Sequence, residues 1–357
     1  MRPTLPPPER VVPYLDRMHK ARLYSNFGPL VRELEARLAE RLGVDAQQVV
    51  VCANATLALQ GACQISEGAS VAVPSYTFPA SAMAVVHAGS ELVLHDINPA
   101  TWKLEIPKAA RRADQVLMPV MPFGAPVDLQ TYESHREVIV DAAASIGVPT
   151  DLGALPSSWV VVYSLHATKV LGVGEGGFAV FGDVSRATEF RTWTNFGFSG
   201  TRESRMIGTN AKMSEIGAAY AHAVLDDWEI EQQEWESARA RAATVDEVLG
   251  IQSIAREYPG VSPYWIAQFD SAVTRASVEQ SLTENGIGSR RWWRWGCHKM
   301  AAFEDFLHGD YPVTDAVAGS TLGLPISRGS TQAEFDEIES VIGLCLRDNF
   351  AATTTQV

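Results

Sequence analysis

The sequence predicts an α/β fold: a mostly parallel seven-stranded sheet with helices on both faces, followed by a smaller C-terminal α+β domain. Three observations carry this expectation. Short β-rich apolar runs recur at nearly regular spacing. Several are uninterrupted rather than alternating, the pattern of strands covered on both faces. A long alanine-rich helical stretch then separates these runs from a tail of mixed character.

The strand candidates, in order, are VVVCA (49–53), SVAV (70–73), ELVLHDI (91–97), QVLMPVM (115–121), EVIVD (137–141), WVVVYSL (159–165) and FAVF (178–181). LALQGACQI (57–65) and PASAMAVVHAG (79–89) lie between the first three and read as short helices ended by glycine, making βα units. The linker between WVVVYSL and FAVF is only about a dozen residues, short for a helical crossover, so that last pair is open to an antiparallel arrangement.

From Met213 the stretch MSEIGAAYAHAVLDDWEIEQQEWESARARAA lacks proline, carries charges at helical spacing and predicts one long linking helix. The tail combines strand-like YWIAQFD with helix-like RASVEQSLTENGI and TQAEFDEIESVIGLCL, as expected of a small α+β unit. The expected boundaries are 1–244 for the large domain, with the N-terminal segment and linking helix, and 245–357 for the small one.

With 357 residues and 46% hydrophobic content, the chain has material for a large core and usually two domains. MRPTLPPPER has no apolar h-region, and Pro74 and Pro79 interrupt the apolar span 70–89. The expectation is a cytoplasmic protein with neither signal peptide nor membrane helix. Cys52, Cys63, Cys297 and Cys345 lack C-x-x-C spacing, which predicts buried thiols and no metal site. A net charge of −13 weighs against nonspecific nucleic-acid or membrane-surface binding.

The segment WVVVYSLHATKVLGVGEGGFAVFG (159–182) puts a single lysine, Lys169, into apolar, glycine-rich surroundings. Its GVGEGG matches the letters of the dinucleotide template G-x-G-x-x-G, but that template needs a helix after the glycines, whereas a strand follows here. A P-loop fails as well, since no G-K-[ST] follows. On this segment alone, a glycine hairpin with a surface lysine is the better reading.

Other segments supply what a lysine forming a Schiff base with pyridoxal phosphate requires: an anion site, a carboxylate for the pyridine nitrogen and a flat apolar cover. In VVVCANATLALQG a strand runs through Asn54, Ala55 and Thr56 into a helix, whose N-terminus suits a phosphate or is simply capped. In EVIVDAAASIG, Asp141 ends a buried strand before small residues, either as that carboxylate or as a cap. In VPSYTFPASA, Tyr76 or Phe78 follows a strand end and either covers the cofactor or packs in the core.

Taken in order, these segments resemble the DegT/DnrJ/EryC1/StrS family of sugar aminotransferases, pyridoxal-phosphate enzymes of the aspartate-aminotransferase fold (fold type I). The resemblance rests on SNFGPLVRELEARLAERLGV, NATLAL, VPSYTF, VMPFGAPVDL, VDAAASIG, YSLHATKVLGVGEGG, GTNAKMSEIGAA, ENGIGSRRWW and LGLPIS. It implies that Lys169 is the catalytic Schiff-base lysine, that Asp141 partners the pyridine nitrogen and that Phe78 stacks on the ring. It further implies phosphate contacts from Thr56 with the Leu57 backbone, from Ser164, and from Asn210 of a neighbouring subunit, hence a homodimer with shared active sites.

Three departures stand out. Ala144 occupies a position where the family usually has glutamine or histidine, Lys212 replaces the usual arginine, and Asn54-Ala55 replaces a glycine-containing phosphate turn. Exchanging arginine for lysine loses the planar fork of a bidentate contact.

The resemblance also implies two half-reactions: L-glutamate leaves the cofactor as pyridoxamine phosphate, and the keto carbon of a nucleotide-linked sugar then receives the amine. On an acidic chain a sugar diphosphate needs local cations, and SRRWWRWGCHKM offers Arg290, Arg291, Arg294, His298 and Lys299 among Trp292, Trp293 and Trp295. Arg290, Arg291, Trp292 and His298 are the expected substrate contacts, with packing of the small domain by the tryptophans as the other reading. The stretch looks most like the branch that aminates C4 of dTDP-4-keto-6-deoxyhexoses for surface polysaccharides or glycosylated natural products. Two alternatives share the fold: a pyridoxamine-phosphate-dependent dehydratase, in which histidine replaces the lysine, and a non-catalytic homologue that binds cofactor or sugar as a regulator.

Overall fold

The computed structural model describes residues 3–107, 112, 114–254, 258–307 and 309–354. The seven apolar runs form β1 (Val49–Cys52), β2 (Ser70–Pro74), β3 (Glu91–His95), β4 (Val116–Leu117), β5 (Ile139–Asp141), β6 (Val160–Ser164) and β7 (Gly177–Phe181). They lack polar alternation because both faces are covered. Val49, Val51, Val161, Tyr163, Phe178 and Val180 belong to one core cluster, whereas Val50, Cys52, Val160, Val162, Ala179 and Phe181 belong to a second.

Helices α1 (Pro8–Ala21), α2 (Pro29–Leu42), α3 (Ala55–Gln64), α4 (Pro79–His87), α5 (Val184–Trp193), α6 (Glu215–Asp226) and α7 (Trp228–Leu249) supply the covering layers. α1, α2, α6 and α7 feed the first cluster, and α3, α4 and α5 the second.

The strand order is β3-β2-β4-β5-β6-β7-β1, with single parallel bridges Leu117–Val138 and Val120–Asp141 joining its two parts. Strands β2 with β3 and β4, and β5 with β6, pair in parallel. Strand β7 runs antiparallel to both β6 and β1, so the sheet is mixed, with one reversed strand. The short β6–β7 linker allows this reversal and no helical crossover.

Glycine makes the reversed strand possible. Gly177 sits between Ser164 and Cys52 in the ladders, and a Cβ there would lie 2.4 Å from the Ala55 backbone nitrogen. Gly174 has φ +105°, a conformation that L side chains rarely adopt. Substitution Gly177→Ala is expected to destabilise the fold by about 1–3 kcal/mol through overpacking. Urea unfolding checks this as a lower midpoint at unchanged slope.

The expected single helix from Met213 is instead two, α6 and α7, broken at Asp227 (φ −105°, ψ 13°). The break has a local and a tertiary cause. Two consecutive acids face the negative end of α6, where they oppose the macrodipole, and Arg10 and Arg37 draw Asp227 and Asp226 to α1 and α2. The Asp227 carbonyl then accepts the Glu231 N–H to begin α7.

Helix α7 continues past residue 244 to Leu249, so the expected boundary lies within it. Beyond it, β8 (Gln252–Ser253), β9 (Trp265–Gln268), α8 (Ala272–Glu284), α9 (Pro312–Ser320), β10 (Thr321–Leu324) and α10 (Gln332–Thr354) form a second layer. Its antiparallel sheet has the order β10-β9-β8. Trp265, Val278, Leu322 and Phe335 join the first core cluster, so the core is continuous across α7. Cys52, Cys63 and Cys297 are buried and Cys345 half-buried. Among the described residues, no helix is long and apolar enough to cross a membrane.

Candidate active site

The carboxyl ends of β1, β2, β5 and β6 open onto one cavity of about 790 Å³. Open α/β sheets place their ligands at such an edge. Thr56, Leu57, Phe78, Asp141, Ser164 and Lys169 all line this cavity, as do Arg290 and Trp292 from the C-terminal layer.

Lys169 stands on the linker between β6 and β7. Its N–H donates to the His166 carbonyl (2.8 Å), and the turn is closed by Ala167 N–H to Gly174 O (2.8 Å) and Leu165 N–H to Gly176 O (2.9 Å). The Lys169 Nζ donates to the Tyr264 hydroxyl at 2.8 Å and lies 5.1 Å from that ring's centroid. Tyr264 is buried between Phe123 and Trp292, with centroids 5.6 and 5.0 Å away. A lysine 95 residues distant in sequence is thereby held by the C-terminal layer.

Asp141 ends β5 and is 5% exposed. Its Oδ2 accepts the Ser81 hydroxyl at 2.6 Å and its Oδ1 accepts the Ala143 N–H at 3.1 Å. Burial pushes the carboxyl above its ordinary range, opposed by these two donors and by the charge of Lys169.

At the end of β1, Asn54 caps α3, its side chain accepting the Leu57 N–H at 2.8 Å. The Leu57 amide expected to face a phosphate is therefore already engaged. The first-turn amides of Ala55 and Thr56 and the Thr56 hydroxyl remain for an anion. Ser164 Oγ accepts the His166 N–H at 3.2 Å. Phe78 stays 57% exposed on the cavity wall, whereas Tyr76 is 1% exposed, bonded to Thr321 Oγ1 at 3.0 Å. Of the two aromatic candidates, Phe78 alone faces the cavity.

The basic-aromatic stretch divides. Trp293 (φ 54°) and Arg294 (φ 43°) turn the chain through the left-handed region. Arg290, Trp292 and Trp293 line the cavity, and the Arg290 guanidinium lies 4.8 Å from the Trp292 ring centroid. Arg291 does not line it and packs over Trp295 at 4.1 Å. His298 is likewise absent from the wall. Its Nδ1 meets Ser75 Oγ at 2.6 Å, its Nε2 meets Asp315 Oδ1 at 3.1 Å, and its ring stacks on Tyr311. Burial holds this imidazole below its ordinary value, as suits a packed side chain rather than a substrate contact.

Asn210 is exposed, paired with Asn195 in a short bridge, and lies outside its own chain's cavity. Lys212 lies 4.7 Å from the Phe196 ring centroid, a cation–π contact that needs no planar fork. Ala144 forms part of the cavity wall. Sequence reasoning missed Tyr264, Phe123, Ser81 and Thr77. Tyr264 and Phe123 reach the cavity through long-range packing, whereas Thr77 and Ser81 lay within the VPSYTFPASA segment but carry no signature of their own.

Comparison with known proteins adds an independent observation. The profile of the DegT/DnrJ/EryC1/StrS aminotransferase family matches residues 9–342. A dTDP-4-amino-4,6-dideoxy-D-glucose transaminase from Shigella dysenteriae is 34% identical over 228 residues, 61% of this chain and 62% of the relative. The chain thus spans less than two thirds of that relative's length. GDP-perosamine synthase from Caulobacter vibrioides is 27% identical over 88% of this chain and 89% of its own. The crystal structure of DesI in the presence of its TDP-sugar product superposes with a TM-score of 0.86 at 30% identity, covering 99% of this chain and 94% of that one. A DegT DnrJ EryC1 StrS aminotransferase from Brucella abortus superposes with a TM-score of 0.80 at 25% identity, covering 94% of each chain. The fold, the cavity and the extent of the profile match agree, and the chain belongs to the DegT/DnrJ/EryC1/StrS aminotransferase family.

Proposed function

We propose that the protein is a pyridoxal-phosphate-dependent aminotransferase that moves an amino group from L-glutamate to the keto carbon of a nucleotide-linked keto-deoxy sugar. The observation carrying this reading is a lysine amine and a buried carboxylate facing one cavity, whose wall also holds Arg290 and Trp292. The name of the Shigella relative and the TDP-sugar product of DesI support a dTDP-4-keto-6-deoxyhexose aminated at C4.

The residues fit pyridoxal 5′-phosphate. Asp141 is a buried carboxyl pushed up by desolvation, and a protonated ring nitrogen would add an opposite charge to the partial compensation that Lys169 gives it. Phe78 is an uncovered aromatic surface suited to stacking. The start of α3, the Thr56 hydroxyl and Ser164 offer donors for a phosphate. When bound, the cofactor supplies an electron sink for the carbanion left when the amine-bearing carbon loses its proton.

Lys169 would attach the cofactor through Nζ and, once displaced by the donor amine, carry that proton as general base and then acid. Tyr264 gives Nζ a fixed resting position at 2.8 Å. Arg290 would grip the diphosphate, with Trp292 as an apolar face for sugar or base. Met121, Val120 and Phe123 line the cavity and would give a bound substrate an apolar wall.

Asn210 belongs to this reading as a phosphate contact delivered to a partner's cavity, which makes the working unit a homodimer. The exposed Phe196, Ile207 and Ile216 near it in sequence support an interface there. We read residues 1–244 as the cofactor-binding domain and 245–357 as the small domain, which lends Tyr264 and Arg290 to the site. A cytoplasmic location is part of the same reading.

The deciding experiment incubates the purified protein with pyridoxal phosphate, L-glutamate and a panel of nucleotide-linked keto sugars, with products identified by mass and NMR. The expected result is an amino sugar with one 2-oxoglutarate per amine. Loss of a sugar hydroxyl without amination would overturn it in favour of a dehydratase.

A further inference from the structure

A short chain of hydroxyls runs from Thr77 on the cavity wall, through Ser81 behind it, to Asp141. Thr77 Oγ1 is 2.9 Å from Ser81 Oγ, and Ser81 Oγ is 2.6 Å from Asp141 Oδ2. Thr77 and Ser81 are fully buried. Their spacing follows from the entry into α4: Phe78 is its N-cap, so Thr77 stands one residue before the cap and Ser81 is the third helical residue, four positions on.

Counting protons gives the chain a direction. An ionised carboxylate only accepts, and a hydroxyl has one proton. Ser81 must therefore donate to Asp141 and receive the Thr77 proton. A proton placed on Asp141 Oδ2 and aimed at Ser81 would turn the Ser81 hydroxyl towards Thr77 and take from Thr77 the acceptor it has in Ser81. Reversal is thus disfavoured, and both hydroxyls act in the same sense on the carboxylate. The Ala143 N–H occupies the other oxygen at 3.1 Å, so the plane of the carboxylate is held from two sides.

We propose that Ser81, backed by Thr77, is a positioning residue that keeps the Asp141 carboxylate ionised and locked in the orientation needed to meet a cationic ring nitrogen. This inference rests on the cofactor reading above. It treats Thr77 as acting only through Ser81, so the two residues work as a pair.

The test is binding of pyridoxal phosphate to the cofactor-free protein, followed by fluorescence titration, for wild type, Ser81→Ala, Thr77→Val, the double variant and Ser81→Thr. Ser81→Ala is expected to raise Kd about tenfold, the scale of a hydrogen bond to a charged group. Thr77→Val keeps the shape and is expected to raise Kd a few-fold. The double variant should bind no worse than Ser81→Ala alone, since the second loss acts through the first. Ser81→Thr should restore binding to within about twofold of wild type.

Unchanged affinity in Ser81→Ala, or penalties that multiply in the double variant, would overturn the proposal while leaving the cofactor reading intact. If Ser81→Ala does not fold, Thr77→Val decides alone, and wild-type affinity in that variant overturns the chain. Absence of binding by the wild-type protein would instead overturn the cofactor reading and the proposal with it.

Discussion

Replacement Asp141→Asn is expected to make the cofactor-free protein more resistant to unfolding while lowering kcat/KM about a thousandfold, roughly 4 kcal/mol of transition-state stabilisation. The two effects have one origin. Burial raises the Asp141 carboxyl above its ordinary range in the folded chain. A carboxyl raised on folding costs no stability below its unfolded pKa, and the cost grows as pH rises through the folded value. Towards neutral pH the cofactor-free protein therefore bears a growing cost for a buried carboxyl on the cavity wall. Asparagine, uncharged at every pH, removes that penalty. It also removes the negative charge that would keep the ring nitrogen protonated.

Thermal unfolding of cofactor-free wild type and Asp141→Asn between pH 4 and 8 checks the first half. The gap should be widest at neutral pH and close on acidification. A gap that widens towards acid would contradict the assigned direction. Added pyridoxal phosphate should stabilise wild type far more than the variant, by mass action on the folded state.

The second large effect is expected at Lys169. Lys169→Ala should abolish the visible absorbance that pyridoxal phosphate acquires on the wild-type protein and lower kcat at least about ten-thousandfold, roughly 5.5 kcal/mol. The fold should survive, because Nζ makes its hydrogen bond to Tyr264 at the cavity wall and the turn is held by backbone hydrogen bonds. Circular dichroism of the variant controls for that. Retention of the wild-type spectrum in Lys169→Ala would remove the lysine from its assigned role.

Much of this architecture was legible because its signals are local. Runs such as VVVC and VVVYS announce two-sided burial through missing alternation, and the structure splits their odd and even residues between two cores. The short linker before FAVF already left room for the reversed strand. Local patterns were weaker where tertiary contacts decide. The helix break at Asp227 depends on arginines from α1 and α2, and helical spacing alone does not show it.

The site divides in the same way. Asp141, Ser164 and Thr56 stand at strand ends and helix starts, positions that a strand assignment locates. His298 and Arg291 were grouped with Arg290 because composition within RRWWRWGCHK does not reveal which way each residue turns. Arg290 pairs with Gly323 in a short bridge, so Arg291 turns the other way, and the left-handed residues Trp293 and Arg294 redirect the chain before His298; no residue type there announces either. Tyr264 carries no local signature, since its role depends on a partner 95 residues away.

The β6–β7 hairpin has a kinetic consequence. Its strands pair across a short segment, from Ser164 with Gly177 outward to Val160 with Phe181. Closing so short a loop costs little chain entropy and is quick, whereas bringing Tyr264 or Arg290 to the same place requires ordering about a hundred further residues. During synthesis and refolding, the turn bearing the lysine can therefore assemble before the wall that screens it. The amine is then open to solvent until Tyr264 and its neighbours close over it.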